Sequence, residues 1–331
     1  MSEQTPTIDD AALPQTLRIC DEVARKAQAG HIRLVKIHIG LGLALVTASQ
    51  MFYSLSGALA KPPLSWRLPV KMWLLPLGLG TFIILGSRYL LRGHHRERTW
   101  CRSRAAAEQI RSRAWYYMMG IDPHEGLVEQ DVDAPRAGEE FVAEVDAIKS
   151  EWMQAVPLDH HRSAKYPEIT PEMDAVRALA CAEKLQVYLV SRVRQQTEWF
   201  ERRAHDYARK QRLFTWLTEF FEAGAALFAL LLVLDVYGLF RMPASLPITW
   251  TVFLSPCLAA AAATIAWSGY KRYSELHSSY SARSEKLLLL RQSFLELSAS
   301  APDPPRWAQL VKRCEDLLTW ENRIWFVRRG G

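Results

Sequence analysis

Residues 37–60, IHIGLGLALVTASQMFYSLSGALA, contain no Asp, Glu, Lys or Arg. A helix of about 20 predominantly apolar residues crosses a hydrocarbon core of roughly 30 Å, so this segment is long enough to span a bilayer. Three further segments share its character: 68–91, with Lys71 near one end, 213–240, and an uncharged stretch, 242–270, whose span is set at about 246–270. They form two pairs, each joined by a short Pro-containing loop, with a long polar stretch between them. The pattern predicts an all-α membrane protein: two transmembrane helical hairpins whose helices extend into a cytoplasmic helical bundle.

The polar stretches also have helical periodicity. Trp100, Ala107, Ile110 and Trp115 recur among charges over 95–119, and Phe141, Val145, Ile148 and Trp152 over 137–156. Thr170 is a good N-cap residue with Pro171 at the first helical position. From there a helix is expected to run through 171–212 into the third span. A run over 271–298 is expected to continue the fourth span outward until Pro302, Pro304 and Pro305, and a last helix to cover about 305–328. No strand pattern stands out, and 120–136 and 157–169 read as loops. The expected division is an N-terminal cytoplasmic segment, 1–30, then a first unit, 31–212, with cytoplasmic helices over 95–212. A second unit, 213–331, has cytoplasmic helices over 271–328.

Charge sets the orientation. Basic residues gather on the cytoplasmic side of membrane segments. Arg25, Lys26, Arg33 and Lys36 precede the first span, and Arg88, Arg92, Arg96, Arg98, Arg102 and Arg104 follow the second. Arg202, Arg203, Arg209, Lys210 and Arg212 precede the third, and Lys271 and Arg272 follow the fourth; the loops between spans carry few. Both hairpins place the termini and the central region in the cytoplasm. The first 30 residues lack the basic start and short apolar run of a cleavable signal. The five cysteines, Cys20, Cys101, Cys181, Cys257 and Cys314, lack ligand spacing and read as reduced thiols.

No catalytic constellation, metal site or cofactor is expected: the chain has no Walker loop, GxSxG, HExxH or CxxC. His94-His95 and His160-His161 are adjacent pairs, which face different ways on a helix. Three clusters of polar chemistry remain. Gly40, Thr47, Gln50, Ser54 and Gly57 share one face of the first span. This face would line a water-filled pore or mediate close helix packing, as small residues do in lipid. Glu219 and Glu222 lie one turn apart in the third span, where a carboxylate at the bilayer centre costs about 2.5–3.5 kcal/mol on insertion scales. They form an acidic ring in an oligomer, or lie at the cytoplasmic interface if the span starts near Gly224. Arg92, Arg96, Arg98, Arg102, Arg104, Arg111 and Arg113, with Trp115 and Tyr116 adjoining, would steer and stack an anionic ligand such as single-stranded nucleic acid. The same run would equally bind anionic lipid. Trp100, Trp115, Trp199, Trp320 and Trp325 read as bundle core.

Some of these residues also carry a family likeness. Trp100, Arg104, Ala107, Glu108 and Trp115-Tyr116 resemble the WxxxRaxAE…W-[RY]-Y signature of a SLATT domain, a two-helix transmembrane effector module of bacterial defence operons. YLVSRVRQQTEWFERRA, 188–204, is similar to the same module's R…Q…W-[YF] helix, although Arg194-Gln195-Gln196 lacks the acid that often precedes the Gln. RYSELHSSYSARSEKLLLL, 272–290, and CEDLLTWENRIWF, from Cys314, resemble a second SLATT type with Y-x-x-L-x-x-SY and CE…EN…W patterns. The resemblance implies a pore-forming effector of the bacterial inner membrane that arrests or kills its host cell, as in abortive infection. Its control would be a nucleotide-type signal from a partner enzyme. The tandem form also resembles the membrane effector of Hailong-type systems. That likeness implies a homo-oligomeric channel, a tetramer, held in check by single-stranded oligodeoxyadenylate from a partner nucleotidyltransferase. The competing expectation is a non-conducting membrane scaffold or sensor that recruits a cytosolic partner.

Overall fold

The computed structural model describes residues 8–59, 67–128, 134–156, 167–240, 250–299 and 303–330; the side chains of 51–59, most of 67–94 and 320–330 fall outside the description. The nine α-helices named among these residues are α1 Gln15–Leu59, α2 Arg67–Met119, α3 Ala134–Ala155, α4 Pro171–Arg177, α5 Cys181–Tyr188, α6 Gln195–Val236, α7 Thr251–Lys271, α8 Tyr273–Ala299 and α9 Pro304–Gly330. A π-helical segment, Leu189–Arg194, joins α5 to α6. The all-α expectation holds: the one pairing of extended chain among the described residues is an isolated bridge between Ile121 and Val128.

Among the described residues, three helices are long and apolar enough to cross a membrane, within Gln15–Gln50, Cys181–Val236 and Thr251–Ser298. The expected second span, 68–91, lies on the α2 backbone, but most of its side chains fall outside the described residues.

The chain divides into two compact units. The first comprises Met1–His31, His95–Arg203 and Ser279–Gly331. Its core is one cluster to which each water-facing helix contributes: Leu17 from α1, Ile110 and Trp115 from α2, Val145 and Trp152 from α3, and Met173 from α4. Tyr188, Phe294 and Trp307 complete it from α5, α8 and α9. Polar groups at helix ends are satisfied locally. Asp9 accepts from the N–H groups of Ala11 at 2.9 Å and Ala12 at 3.2 Å, capping a short 3-10 turn. Thr170 caps α4 as its sequence position predicts, accepting from the Met173 N–H at 3.2 Å, and its hydroxyl donates to the Ala12 carbonyl at 2.7 Å.

The expected single helix over 171–212 is interrupted. Tyr117 Oη donates to Asp174 at 2.7 Å and Arg177 donates to the Tyr117 carbonyl at 2.5 Å, so α4 is tied to α2. The chain then restarts at Ala180, whose N–H donates to the Glu183 carboxylate at 3.2 Å. Tertiary bonds thus override three residues, Ala178, Leu179 and Ala180, whose local preference permits a helix.

The second unit comprises Ile32–His94 and Ala204–Ser278. Glycines let large side chains close against the neighbouring helix. Gly42 abuts Phe82, where an added Cβ would lie 3.0 Å from the ring, and Gly86 abuts His38, whose ring stacks on Phe82 at 4.8 Å. Between α6 and α7, the Thr218 and Thr264 hydroxyls are 2.9 Å apart and Phe228 stacks on Phe253 at 5.2 Å. Lys36 of α1 stands 5.9 Å over the Trp267 ring of α7. Leu213, Trp216, Phe220, Leu227, Leu230 and Val233 of α6 remain exposed, as lipid-facing side chains would be.

The expected continuation of the fourth span is also broken. Arg272 adopts the left-handed conformation, φ 50° and ψ 44°, ending α7 before α8 begins. The turn presents Tyr273 to Trp267, whose Nε1 donates to the Tyr273 hydroxyl at 3.0 Å, and lays its ring on Phe214 at 5.5 Å.

Candidate functional site

The basic run on α2 is drawn largely into an ion-pair network. Arg104 reaches Asp21 of α1 at 2.8 Å and also pairs with Glu108. Arg111, 8% exposed at its side chain, contacts Glu108 at 2.5 Å, Asp21 at 2.9 Å and Asp10 at 3.4 Å. Burial by itself would raise the Glu108 carboxyl, but Arg111, Arg104 and Arg192 outweigh it and bring the group down to about 2. The network is charged at neutral pH and fixes α1, α2 and the N-terminal turn to one another.

A second ion pair lies deeper. Arg192, in the π-helical segment, donates through Nε to Glu315 Oε1 at 2.9 Å and through Nη2 to Oε2 at 2.8 Å. Their side chains are 2% and 0% exposed. Tyr188 donates to the same Glu315 oxygen at 3.0 Å. Burial acts against the Arg192 charge, yet Glu315 overcomes it and holds the guanidinium more firmly protonated than usual. Burial pushes the neighbouring Cys314 thiol up to about 12, so it stays protonated. Ser191, also in the π segment, accepts from the Ile8 N–H at 3.0 Å. A π turn inserts one residue into a helix and is frequent at functional sites. Here it turns Ser191 to the N-terminal segment and Arg192 to α9.

The remaining binding candidates divide by accessibility. Arg96 and Arg98 are exposed, while Arg102 is half-buried and donates to the Ala155 carbonyl at 2.9 Å. Arg113 lies 3.4 Å from Glu144. Trp115 and Tyr116 are core residues, 2% and 6% exposed, and Trp115 meets Tyr188 edge-on at 5.5 Å. The Arg92 side chain lies outside the described residues. Of the span candidates, Thr47 donates to its own helix at Leu43 O, 2.9 Å away, and Gln50 is half-buried. Ser54 lies outside the described side chains. Glu219 and Glu222 are exposed on α6, whose Thr218, Gly224 and Phe228 meet α7. No cluster of metal-ligating side chains occurs among the described residues.

Tyr188, Arg192, Cys314 and Glu315 lie in the family-like motifs, which do not by themselves assign them a role. The available signal was positional. Arg192 and Glu315 are charges at places where helical spacing, from Leu185 and Tyr188 on one side and Val311 and Leu318 on the other, calls for core.

These features define a class: an all-helical membrane protein whose apolar helices join a water-facing bundle held by buried ion pairs. Residues 14–185 match the SMODS and SLOG-associating 2TM effector domain 3, and residues 188–325 match the SMODS and SLOG-associating 2TM effector domain 1. The chain belongs to this SLATT family and carries two of its two-transmembrane effector domains, which are associated with defence systems, in tandem. The stretch 188–204, likened by its motif to the first module, falls within the second match. Searches of curated proteins and of solved structures return no match. The buried pair Arg192–Glu315 joins two motif-bearing segments of the second domain.

Proposed function

We propose that this protein is a homo-oligomeric pore of the bacterial inner membrane, the killing component of an anti-phage system. A nucleotide or oligonucleotide made by a partner nucleotidyltransferase controls it through the water-facing bundle. The observation that carries this reading is the exposure of Glu219 and Glu222 on an otherwise apolar stretch of α6. Neither carboxylate has an ion-pair partner among the described residues, and both residues are exposed. A carboxylate in a membrane helix is retained where it meets water or a partner. Subunits arranged around an axis give these two residues water on a shared surface, and a ring of carboxylates favours cations.

The control side rests on helix continuity. Asp21 lies on α1, Arg104, Glu108 and Arg111 on α2, and each of these helices runs on without a break into the second compact unit. A ligand that disturbs the ion pairs acts on the same helices that carry the apolar segments. Arg96 and Arg98, exposed on α2, are the first contacts for an anion.

Currents across planar bilayers under a salt gradient test the reading. Wild-type protein passes cation-selective current, and Glu219→Gln with Glu222→Gln moves the reversal potential toward zero while leaving the oligomer intact. Gln50→Leu tests the first-span face in the same way, by lowering conductance. Absence of current from the wild type, with and without oligodeoxyadenylate, would replace the pore with a non-conducting scaffold.

A further inference from the structure

α8 is apolar on two opposite faces. Leu287, Phe294 and Leu297 turn inward and are 0%, 0% and 3% exposed. Leu288, Leu289 and Leu295 turn outward and are 43%, 63% and 50% exposed. The outward leucines belong to the water-facing unit, where lipid does not account for them. A water-facing helix normally carries a single apolar stripe with charged residues opposite.

We propose that the outward face of α8 packs, in parallel, against the same face of a second copy of this chain. The spacing has heptad form with leucine at one of the two seam positions. Leu288 and Leu295 stand seven residues apart at one seam position, and Glu285, Gln292 and Ala299 repeat at the other. Gln292 is exposed between the two leucines, a polar seam residue of the kind that sets register and orientation. Charge supplies the complementarity. Arg291 flanks the seam on one side and Glu296 on the other, five residues apart. In parallel helices with this heptad, Arg291 of one copy meets Glu296 of the next, and Glu296 of an adjoining copy returns the contact around a ring. Membrane insertion orients every copy alike, which makes the parallel arrangement the accessible one. A lipid surface fits poorly, because Glu285, Lys286, Gln292 and Glu296 interrupt the face with exposed charge and amide.

This inference rests on the homo-oligomer of the proposed function and adds the surface that holds it. The experiment uses the full chain in membranes, with a photoreactive benzophenone amino acid placed at Gln292 and, as a control, at the exposed Glu151 of α3. Illumination should give a covalent dimer from position 292 and none from position 151. Leu288→Glu with Leu295→Glu should reduce that dimer at least ten-fold; thermal unfolding checks the fold of the double variant, and Leu288→Gln with Leu295→Gln serves if it misfolds. A wild type that runs as an oligomer but yields no dimer from position 292 overturns the α8 interface and leaves the pore reading standing. Cross-linking within one chain, without a mass increase, overturns it in favour of a segment of the same subunit covering the face. A wild type that is monomeric in membranes and in detergent overturns both.

Discussion

Arg192 and Glu315, 123 residues apart in the chain, meet through two hydrogen bonds of 2.9 and 2.8 Å in a site closed to solvent. The pair joins the π segment before α6 to the middle of α9, and Tyr188 adds a third bond to the carboxylate. Two buried charges repay their desolvation only with good geometry and further hydrogen bonds. Both conditions are met here. A buried pair of this kind is weak evidence for net stability, and its expected role is to fix how the two segments register.

Breaking the pair from one side is accordingly the most damaging small change in the bundle. Glu315→Gln or Arg192→Met leaves a buried charge uncompensated and should cost about 3–5 kcal/mol. Arg192→Met together with Glu315→Leu should recover much of that loss, because no charge then remains buried. Urea unfolding of the four proteins in detergent, followed by tryptophan fluorescence, measures the coupling. A double-variant loss equal to the sum of the two single losses would show that the side chains do not act as a pair.

Acid should loosen the α1–α2 network before it unfolds the rest. The Glu108 carboxyl sits at about 2 in the folded chain, against an ordinary value of 4.5. Its folded-state value is depressed, so its contribution is complete above about 4.5 and disappears as pH falls toward 2. The difference corresponds to about 3 kcal/mol. The melting temperature of the wild type should fall over that window. Glu108→Gln should start lower and flatten this part of the profile, since no carboxylate remains there to protonate.

Arg272 is in a left-handed conformation that costs a residue with a side chain roughly 1–2 kcal/mol and costs glycine almost nothing. Arg272→Gly should be neutral or stabilising, even with the loss of its 3.3 Å contact to the exposed Glu275. Arg272→Val should lower the melting temperature, because branching at Cβ makes that conformation harder still. A stabilising Arg272→Val would mean that α7 and α8 prefer to join as one helix.

Arg96 and Arg98 are exposed and free of the ion pairs that engage Arg104 and Arg111, which makes them the accessible part of the basic run. Arg96→Glu with Arg98→Glu should weaken binding of fluorescent oligodeoxyadenylate at least ten-fold without changing the melting temperature. Wild-type affinity should fall steeply between about 50 and 200 mM salt, as counterion release requires. Unchanged anisotropy titrations in the double variant would assign this run to lipid.

Much of the architecture was legible because it depends on neighbours in sequence. An uncharged stretch such as 37–60 is recognisable as a span from its own composition, and Thr170 before Pro171 marks a helix start without reference to anything distant. Trp100, Glu108 and Trp115 carried the family likeness for the same reason. The interruptions were hidden. Ala178, Leu179 and Ala180 favour a helix locally, and only the bonds from Tyr117 to Asp174 and from Arg177 to Tyr117 stop α4 there. Arg272 has no Gly or Pro to announce the break between α7 and α8; Trp267 and Tyr273 define it across the turn.

The same division separates what each level determined about the basic run. Seven arginines in a short interval establish a strong positive charge on α2, because charge sums locally. Apart from Glu108 on the same helix, their acidic partners lie on other elements, Asp10 and Asp21 near the N-terminus and Glu144 on α3, and only folding brings those together. By itself the sequence determined the helical class, the presence of apolar helices long enough to span a membrane and the membership in tandem effector domains, all of which are sums over adjacent residues. The tertiary structure decided which charges are buried, that the chain passes through a π turn at Arg192, and which leucines of α8 are left outside. Each of those outcomes is set by atoms brought close in space from distant parts of the chain, where periodicity and composition carry no information about the partner.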